Sequence, residues 1–164
     1  DNTFTWITSE QSRDDVQIVR AGFDAILTGG NTLRNDNPRM NARVDFEVNQ
    51  PQKILLTSQE INKESNFFKS GDVIINRSSD LNKVVTELSN IEINSILVEA
   101  GPNLVNAFLD NHLVDEIIIY KSNITLGNKG VSWFENKTIE SLGFDLKSSL
   151  KINDDSKETY IKRS

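Results

Sequence analysis

Short apolar runs and amphipathic helix patterns take turns along this chain, and that alternation limits the fold more than any other feature. Ser9 can cap a helix running to about Arg20, with Val16 and Val19 turned inward. Residues 25–28 read as a buried strand closed by Gly29 and Gly30, then a polar turn, N-T-L-R-N-D-N-P-R, leads to residues 41–48. Strands are expected over 53–57 and 73–76, and a helix over 81–88 with Leu81, Val84, Val85 and Leu88 on one face. A strand over 96–98, a helix over 104–111 and a strand over 116–120 follow. Beyond Gly127 the pattern changes: 144–152 and 159–162 read as strands with no helix between them, which predicts an antiparallel hairpin. Strands that alternate with helices build a mostly parallel sheet that receives ligands at its strand carboxyl ends; the hairpin makes that sheet mixed.

The sharpest local signal is I-L-V-E-A-G-P-N-L-V-N-A, Ile96 to Ala107. A β-rich run ends in a carboxylate, Glu99, breaks at Gly101-Pro102 and turns into a helix. Proline suits a first helical turn, glycine lets a ligand approach the backbone, and the free N–H groups of a helix start attract anions. A carboxylate makes a poor phosphate ligand, so Glu99 suits a polar or amino-bearing group. Two ligands meeting at one strand end are expected.

Composition narrows the partners. With 164 residues, 37% hydrophobic and 26% charged, the chain can bury a core as one domain. A net charge of −6 and a pI near 4.8 argue against nucleic acid. There is no cysteine for thiolate, disulfide or cysteine-zinc chemistry, and His112 is the sole imidazole, so no metal site is expected. His112, at a helix end, reads as a cation near the dipole. No apolar run approaches membrane-spanning length, and the first residues resemble neither a signal peptide nor a basic presequence, so a cytoplasmic location is expected. The pairs Asp14-Asp15 and Asp154-Asp155 read as solvated faces or turns. Trp133 and Phe134 read as cover for an edge or a subunit interface.

Six motifs in order carry a family resemblance: W-I-T at Trp6 to Thr8, R-x-D-V-x-x-x-R from Arg13, D-A-I-L-T-G-G-N-T from Asp24, D-N-P-R-M-N-A-R from Asp36, I-N-S-I-L-V-E-A-G-P from Ile93 and L-V-D-E-I-I-I-Y from Leu113. The chain resembles the reductase domain of the bifunctional riboflavin-biosynthesis deaminase/reductase. The resemblance implies an α/β, dihydrofolate-reductase-like three-layer fold, with a mostly parallel central sheet, helices on both faces and an antiparallel C-terminal hairpin. It also implies NADPH-dependent reduction of 5-amino-6-(5-phosphoribosylamino)uracil, and a homodimer.

Residue by residue, the family's substrate contacts fall on Arg20, Met40, Arg43 and Glu99. Guanidinium forks suit a phosphate, and carboxylate oxygens suit the amino and ring N–H groups of an aminouracil. Read without the family, Arg20 is a helix-end cation, Arg43 a surface charge, Met40 core filler and Glu99 a helix-dipole carboxylate. The cofactor contacts fall on Trp6, Thr32, Asp36, Ser58 and the run Gly101, Pro102, Asn103, Leu104, Val105, Asn106 and Ala107. Thr32 follows Gly29-Gly30, where missing side chains would admit a nicotinamide or ribose. Asp36-Asn37-Pro38 also reads as an Asx turn. Ser58 could meet the adenosine 2′-phosphate, with Arg77 as a second ligand.

The family opens this domain with a strand of the type L-K-x-A-x-S-x-D-G, whereas the present sequence starts five residues before Trp6, so that strand is expected to be missing. Phe4 stands where the family has a substrate-binding serine, leaving Thr3 or Thr5 to replace it, and without a His/Cys/Cys set in these residues no zinc-deaminase half is expected in them. Hydride transfer to the sugar C1′ needs orientation and exclusion of water, and no general acid is assigned. Two other readings stay open: another reductase of the same fold acting on a pterin or pyrimidine, and a nucleotide-binding module without catalysis.

Overall fold

The computed structural model describes residues 8–123, 134 and 137–164. Trp6, Phe4 and Trp133 lie outside the described residues. The chain divides into two compact units, one of Gln17–Leu113 and one of Asp1–Val16 with Val114–Ser164. Among the described residues, no helix is long and apolar enough to cross a membrane.

The unit Gln17–Leu113 is built on a four-stranded parallel sheet of order β3-β2-β1-β4, with β1 at Ala25–Gly29, β2 at Gln52–Leu56, β3 at Val73–Asn76 and β4 at Ile96–Val98. Its helices are the end of α1 (Glu10–Ala21), α2 (Gly30–Asp36), α3 (Asn66–Lys69), α4 (Leu81–Ser89) and α5 (Pro102–Asp110). The register places Ile26, Lys53, Val73 and Leu97 on one face, together with Leu55. That face packs with Leu33 of α2, Met40 and Phe67 of α3 into one apolar cluster. The chain steps from β1 out to β3 and then back across to β4. Right-handed crossovers therefore put α4, with buried Val84 and Leu88, on the opposite face from α2 and α3. Coverage on both faces explains why these strands read as continuous apolar runs.

Ser9 caps α1 as expected, its hydroxyl accepting from the Ser12 N–H at 3.2 Å. The segment expected to be a polar turn is instead α2. Gly29 enters it extended, Leu33 is only 4% exposed beneath it, and Asn37 ends it in the left-handed conformation at φ 42°. Burial of that one leucine outweighs the weak helix propensity of its polar neighbours.

In the other unit, β5 (Glu116–Lys121), β6 (Phe144–Ile152) and β7 (Asp155–Lys162) form an antiparallel sheet of order β5-β7-β6. The expected hairpin is β6–β7, turned by Asn153 at φ 53° and Asp154. It recruits β5 through a continuous antiparallel ladder, so the described strands form two sheets rather than one mixed sheet. Strand β7 also starts at Asp155, earlier than its apolar pattern suggests, because Ser156 and Lys157 pair with both neighbours.

The expectation that both acidic pairs are merely solvated is corrected here. Asp155 is 4% exposed and accepts from the Ser9 N–H at 2.6 Å and the Ser12 hydroxyl at 2.7 Å, fastening the start of α1 to β7. Asp15 accepts from the Tyr120 hydroxyl and pairs with Lys157 at 2.7 Å. Local sequence cannot report partners more than a hundred residues away.

Candidate active site

Strands β1 and β4 are neighbours, and the direction of winding reverses between them. In open α/β sheets the crevice beyond the carboxyl ends of such a pair is where ligands bind. The ladder runs one residue past β4, as the Glu99 N–H donates to the Leu27 carbonyl at 3.0 Å, which fixes Glu99 at the mouth of this crevice. Two residues on, Gly101 caps α5 with extended backbone (φ −70°, ψ 170°) and Pro102 opens the helix. Among the described residues, a Cβ placed on Gly101 would meet no atom within 4 Å beyond its chain neighbours, which leaves the backbone approachable from their side. The first-turn N–H groups of α5 thus begin beside open space, as an anion site requires.

The other glycine pair behaves differently. At Gly29 the space a Cβ would take is filled by Leu104, 3.3 Å away, and at Gly30 by the Thr57 hydroxyl, 2.7 Å away, and Arg34. The expectation that both admit a ligand is therefore corrected: they let α5 and the end of β2 close onto β1. Sequence could not separate the two cases, because a glycine that faces solvent and one that faces a side chain read alike.

Arg20 and Glu99 meet directly. Arg20, 9% exposed, donates from Nε and Nη2 to the two carboxylate oxygens of Glu99, each at 2.7 Å. Its Nη1 reaches the Asn41 carbonyl at 3.3 Å and the Gln17 side-chain oxygen at 3.5 Å. Sequence reading gave Arg20 and Glu99 to different parts of a ligand; the structure joins them in a bidentate fork. The carboxylate keeps lone pairs beyond the two that Arg20 takes, so Glu99 is oriented without being used up.

Arg43 is exposed beside this fork. It donates to the Asn41 side chain at 2.7 Å, and its backbone N–H donates to Gln17 at 3.1 Å. Partial burial, then the neighbouring charges of Arg20 and Arg39, lower the basicity of its guanidinium, while Glu99 opposes them. Arg20 and Arg39 near Arg43, against the single carboxylate of Glu99, leave an excess of positive charge there. Met40 is 5% exposed and sits in the apolar cluster, with backbone at φ 52°. Its side chain is core, and its left-handed turn leads into Asn41, the residue that bridges Arg20 and Arg43. Sequence reading missed Gln17 and Asn41; Gln17 stands one helical turn before Arg20, and Asn41 lies inside the D-N-P-R-M-N-A-R motif.

The remaining expected contacts spread along the strand ends. Thr32 is half-buried on the first turn of α2, and Asp36 is exposed at its end, where Asn37 caps the helix rather than forming an isolated turn. Ser58 is exposed just past β2. Arg77, just past the adjacent β3, donates to the Gln59 carbonyl at 3.2 Å and so reaches the Ser58 segment. Arg77, Ser78 and Lys83 help line an open depression of about 490 Å³. Among the described residues, no group of His, Cys, Asp and Glu is arranged to hold a metal ion. His112 follows α5 at φ 57°, past its cap.

Comparison with known proteins identifies the family. The family model described as the RibD C-terminal domain matches residues 1–157. The riboflavin biosynthesis protein RibD of Haemophilus influenzae is 30% identical, over 94% of this chain and 52% of that protein. The 5-amino-6-(5-phosphoribosylamino)uracil reductase of Buchnera aphidicola subsp. Acyrthosiphon pisum is 28% identical over 92% of each. The solved RibD of Acinetobacter baumannii superposes with a TM-score of 0.88 at 25% identity, covering 98% of this chain and 52% of that one. The chain spans about half the length of the first curated relatives it matches. With the family model matching nearly the whole sequence, the chain belongs to the RibD C-terminal domain family.

Proposed function

We propose that this chain is a single reductase domain of riboflavin biosynthesis that uses NADPH to reduce 5-amino-6-(5-phosphoribosylamino)uracil to its ribityl counterpart. The observation that carries this reading is the Arg20–Glu99 fork, flanked by Arg43, at the mouth of the β1/β4 crevice beside the open start of α5. Membership of the family, and the name of the Buchnera relative, supply the substrate.

Each residue then has a role. Glu99, held by Arg20, accepts from the amino and ring N–H groups of the pyrimidine. Arg43 and Arg20 supply the charge that draws the phosphate, and the Met40 turn sets Asn41 between them. Gly101 to Ala107 present backbone donors for the dinucleotide diphosphate, and the absence of a Cβ at Gly101 fits that close approach. Thr32, Asp36 and Trp6 are assigned to the cofactor by resemblance. Ser58, with Arg77 reaching its segment, is assigned to the 2′-phosphate. When bound, NADPH supplies the hydride delivered to the sugar C1′. The protein's share is orientation and exclusion of water. A homodimer and a cytoplasmic location are part of the same reading, by resemblance. Light scattering tests the dimer, for which Leu146 and Leu150, exposed on β6, offer apolar surface.

The test is NADPH oxidation with the deaminated pyrimidine, with dihydrofolate as control. Turnover with the pyrimidine alone is expected. Turnover with dihydrofolate alone would assign another reductase of this fold. A rise in Tm with NADPH but no turnover would mean a nucleotide-binding module.

A further inference from the structure

Lys53 is a cation in the wrong place for ordinary stability. It lies on β2 in register with Ile26 and Val73, on the face that packs against Phe67, and is 3% exposed. Charged side chains are almost never buried so deeply unless paired. Among the described residues no carboxylate makes an ion-pair contact with it, and Asp72 helps only by its charge. Its ammonium instead donates to the Phe67 carbonyl and to the Ser70 hydroxyl, the latter at 2.7 Å, and lies 4.9 Å from the centre of the Phe67 ring.

The Ser70 hydroxyl has one proton and three carbonyls within reach: Asn66 at 2.8 Å, Arg39 at 2.9 Å and Phe67 at 3.3 Å. Lys53 occupies the Phe67 carbonyl and a lone pair of Ser70, leaving the proton to Asn66 and Arg39. The Arg39 carbonyl is where the segment carrying the site begins. Next come Met40 in its left-handed turn, Asn41 holding Arg20 and Arg43, and Ala42, whose N–H and carbonyl are clasped by Gln50 at 2.9 and 2.8 Å.

We propose that Lys53 is a positioning residue: through Ser70 it anchors the Arg39 end of the 39–43 segment and so sets Arg43 for the substrate. This rests on the reductase reading above. Burial pushes the Lys53 ammonium down to about 8. A basic group lowered on folding binds fewer protons in the native than in the unfolded chain between about 8 and its ordinary value, so at neutral pH its charge weighs against the fold. The two hydrogen bonds of the ammonium, to the Phe67 carbonyl and the Ser70 hydroxyl, offset part of that cost. What its hydrogen bonds reach, through Ser70 and the Arg39 carbonyl, is the segment that carries the site.

The experiment compares Lys53→Met with wild type. The expected result is KM for the pyrimidine raised roughly tenfold or more, with KM for NADPH unchanged, since misplaced positioning groups cost that much or more. Hydrogen exchange at the Ala42 and Arg43 amides should quicken. Ser70→Ala, which keeps Lys53 but cuts the link to Arg39, should act in the same direction, and Ser70→Thr should restore wild-type values. A pyrimidine KM near wild type in both Lys53→Met and Ser70→Ala, with exchange unaltered, overturns the proposal. Should Lys53→Met fail to fold, Ser70→Ala decides alone. If the wild-type protein turns over no pyrimidine, the reductase reading falls, and exchange at Ala42 and Arg43 still judges the anchor.

Discussion

The two sheets treat charge in opposite ways. In the parallel sheet the central strands β1 and β2 are largely buried and, Lys53 apart, charge lies past the carboxyl ends, at Glu99 after β4 and Arg77 after β3, with the polar Ser58 after β2. In the antiparallel sheet, β6 is exposed along most of its length and charge is spent within the sheet and on α1. Glu158 pairs with Lys121 at 2.7 Å and accepts from Tyr160 at 2.6 Å. Those partners lower the Glu158 carboxyl, Lys121 first, and Glu158 in turn pushes the Tyr160 hydroxyl up to about 12. Asp15 is likewise taken by Lys157 and Tyr120, and Asp155 by Ser12 and Ser9. A carboxylate satisfied by its own fold contributes stability. One held by a single arginine at a strand end keeps acceptors for a ligand.

Substitutions can break that contrast. Glu99→Gln should do most: losing the charge frees the buried Arg20 guanidinium and weakens pyrimidine recognition, lowering kcat/KM roughly a hundredfold. Steady-state kinetics, with NADPH affinity measured separately, checks that the loss is confined to the pyrimidine.

Asp155→Asn should do the reverse, lowering Tm by several degrees while kcat/KM stays within about twofold. The sign with pH follows from the native carboxyl lying below its ordinary value of 3.8, chiefly through the Ser12 hydroxyl and the Ser9 N–H. The wild-type advantage is full above that value and is lost as pH falls through the lowered native one. Thermal melts of both proteins across acid pH measure it. An advantage that grew toward low pH would contradict the assignment.

Arg43→Ala should raise KM for the pyrimidine about tenfold with little change for NADPH, the scale of one charge-assisted hydrogen bond. An equal loss for both ligands would mean that Arg43 does not separate them. Gly101→Ala is the mildest and most pointed. Its backbone suits alanine and, among the described residues, nothing beyond its chain neighbours meets the added methyl, so Tm should hold, while KM for NADPH rises roughly fivefold as the methyl crowds the bound dinucleotide. Gly30→Ala, where the Thr57 hydroxyl is 2.7 Å and the Thr57 Cβ 3.2 Å from the added methyl, should instead cost stability.

Much of this was legible in the residue order. Periodicity placed every strand of both sheets to within a few residues, together with α1, α4 and α5, because burial of a stripe or a face leaves its period in the sequence. Ser9 as a cap and Gly101-Pro102 as a helix start are local chemistry, and local chemistry is written locally. The motifs from Arg13 to Tyr120 marked the family and the residues worth watching. Tertiary structure alone decided which partners those residues take. Arg20 and Glu99 stand 79 positions apart, and Ser12 and Asp155 stand 143 apart, so only the closed chain could show that one pair forms a fork and the other a clasp. The same holds for Leu33, whose burial turns a polar stretch into α2, for Gly29 and Gly101, told apart by what faces them, and for Lys53. Periodicity records how much of a segment is hidden from water, whereas hydrogen bonds and charges depend on which group arrives opposite, and that is settled when distant segments pack.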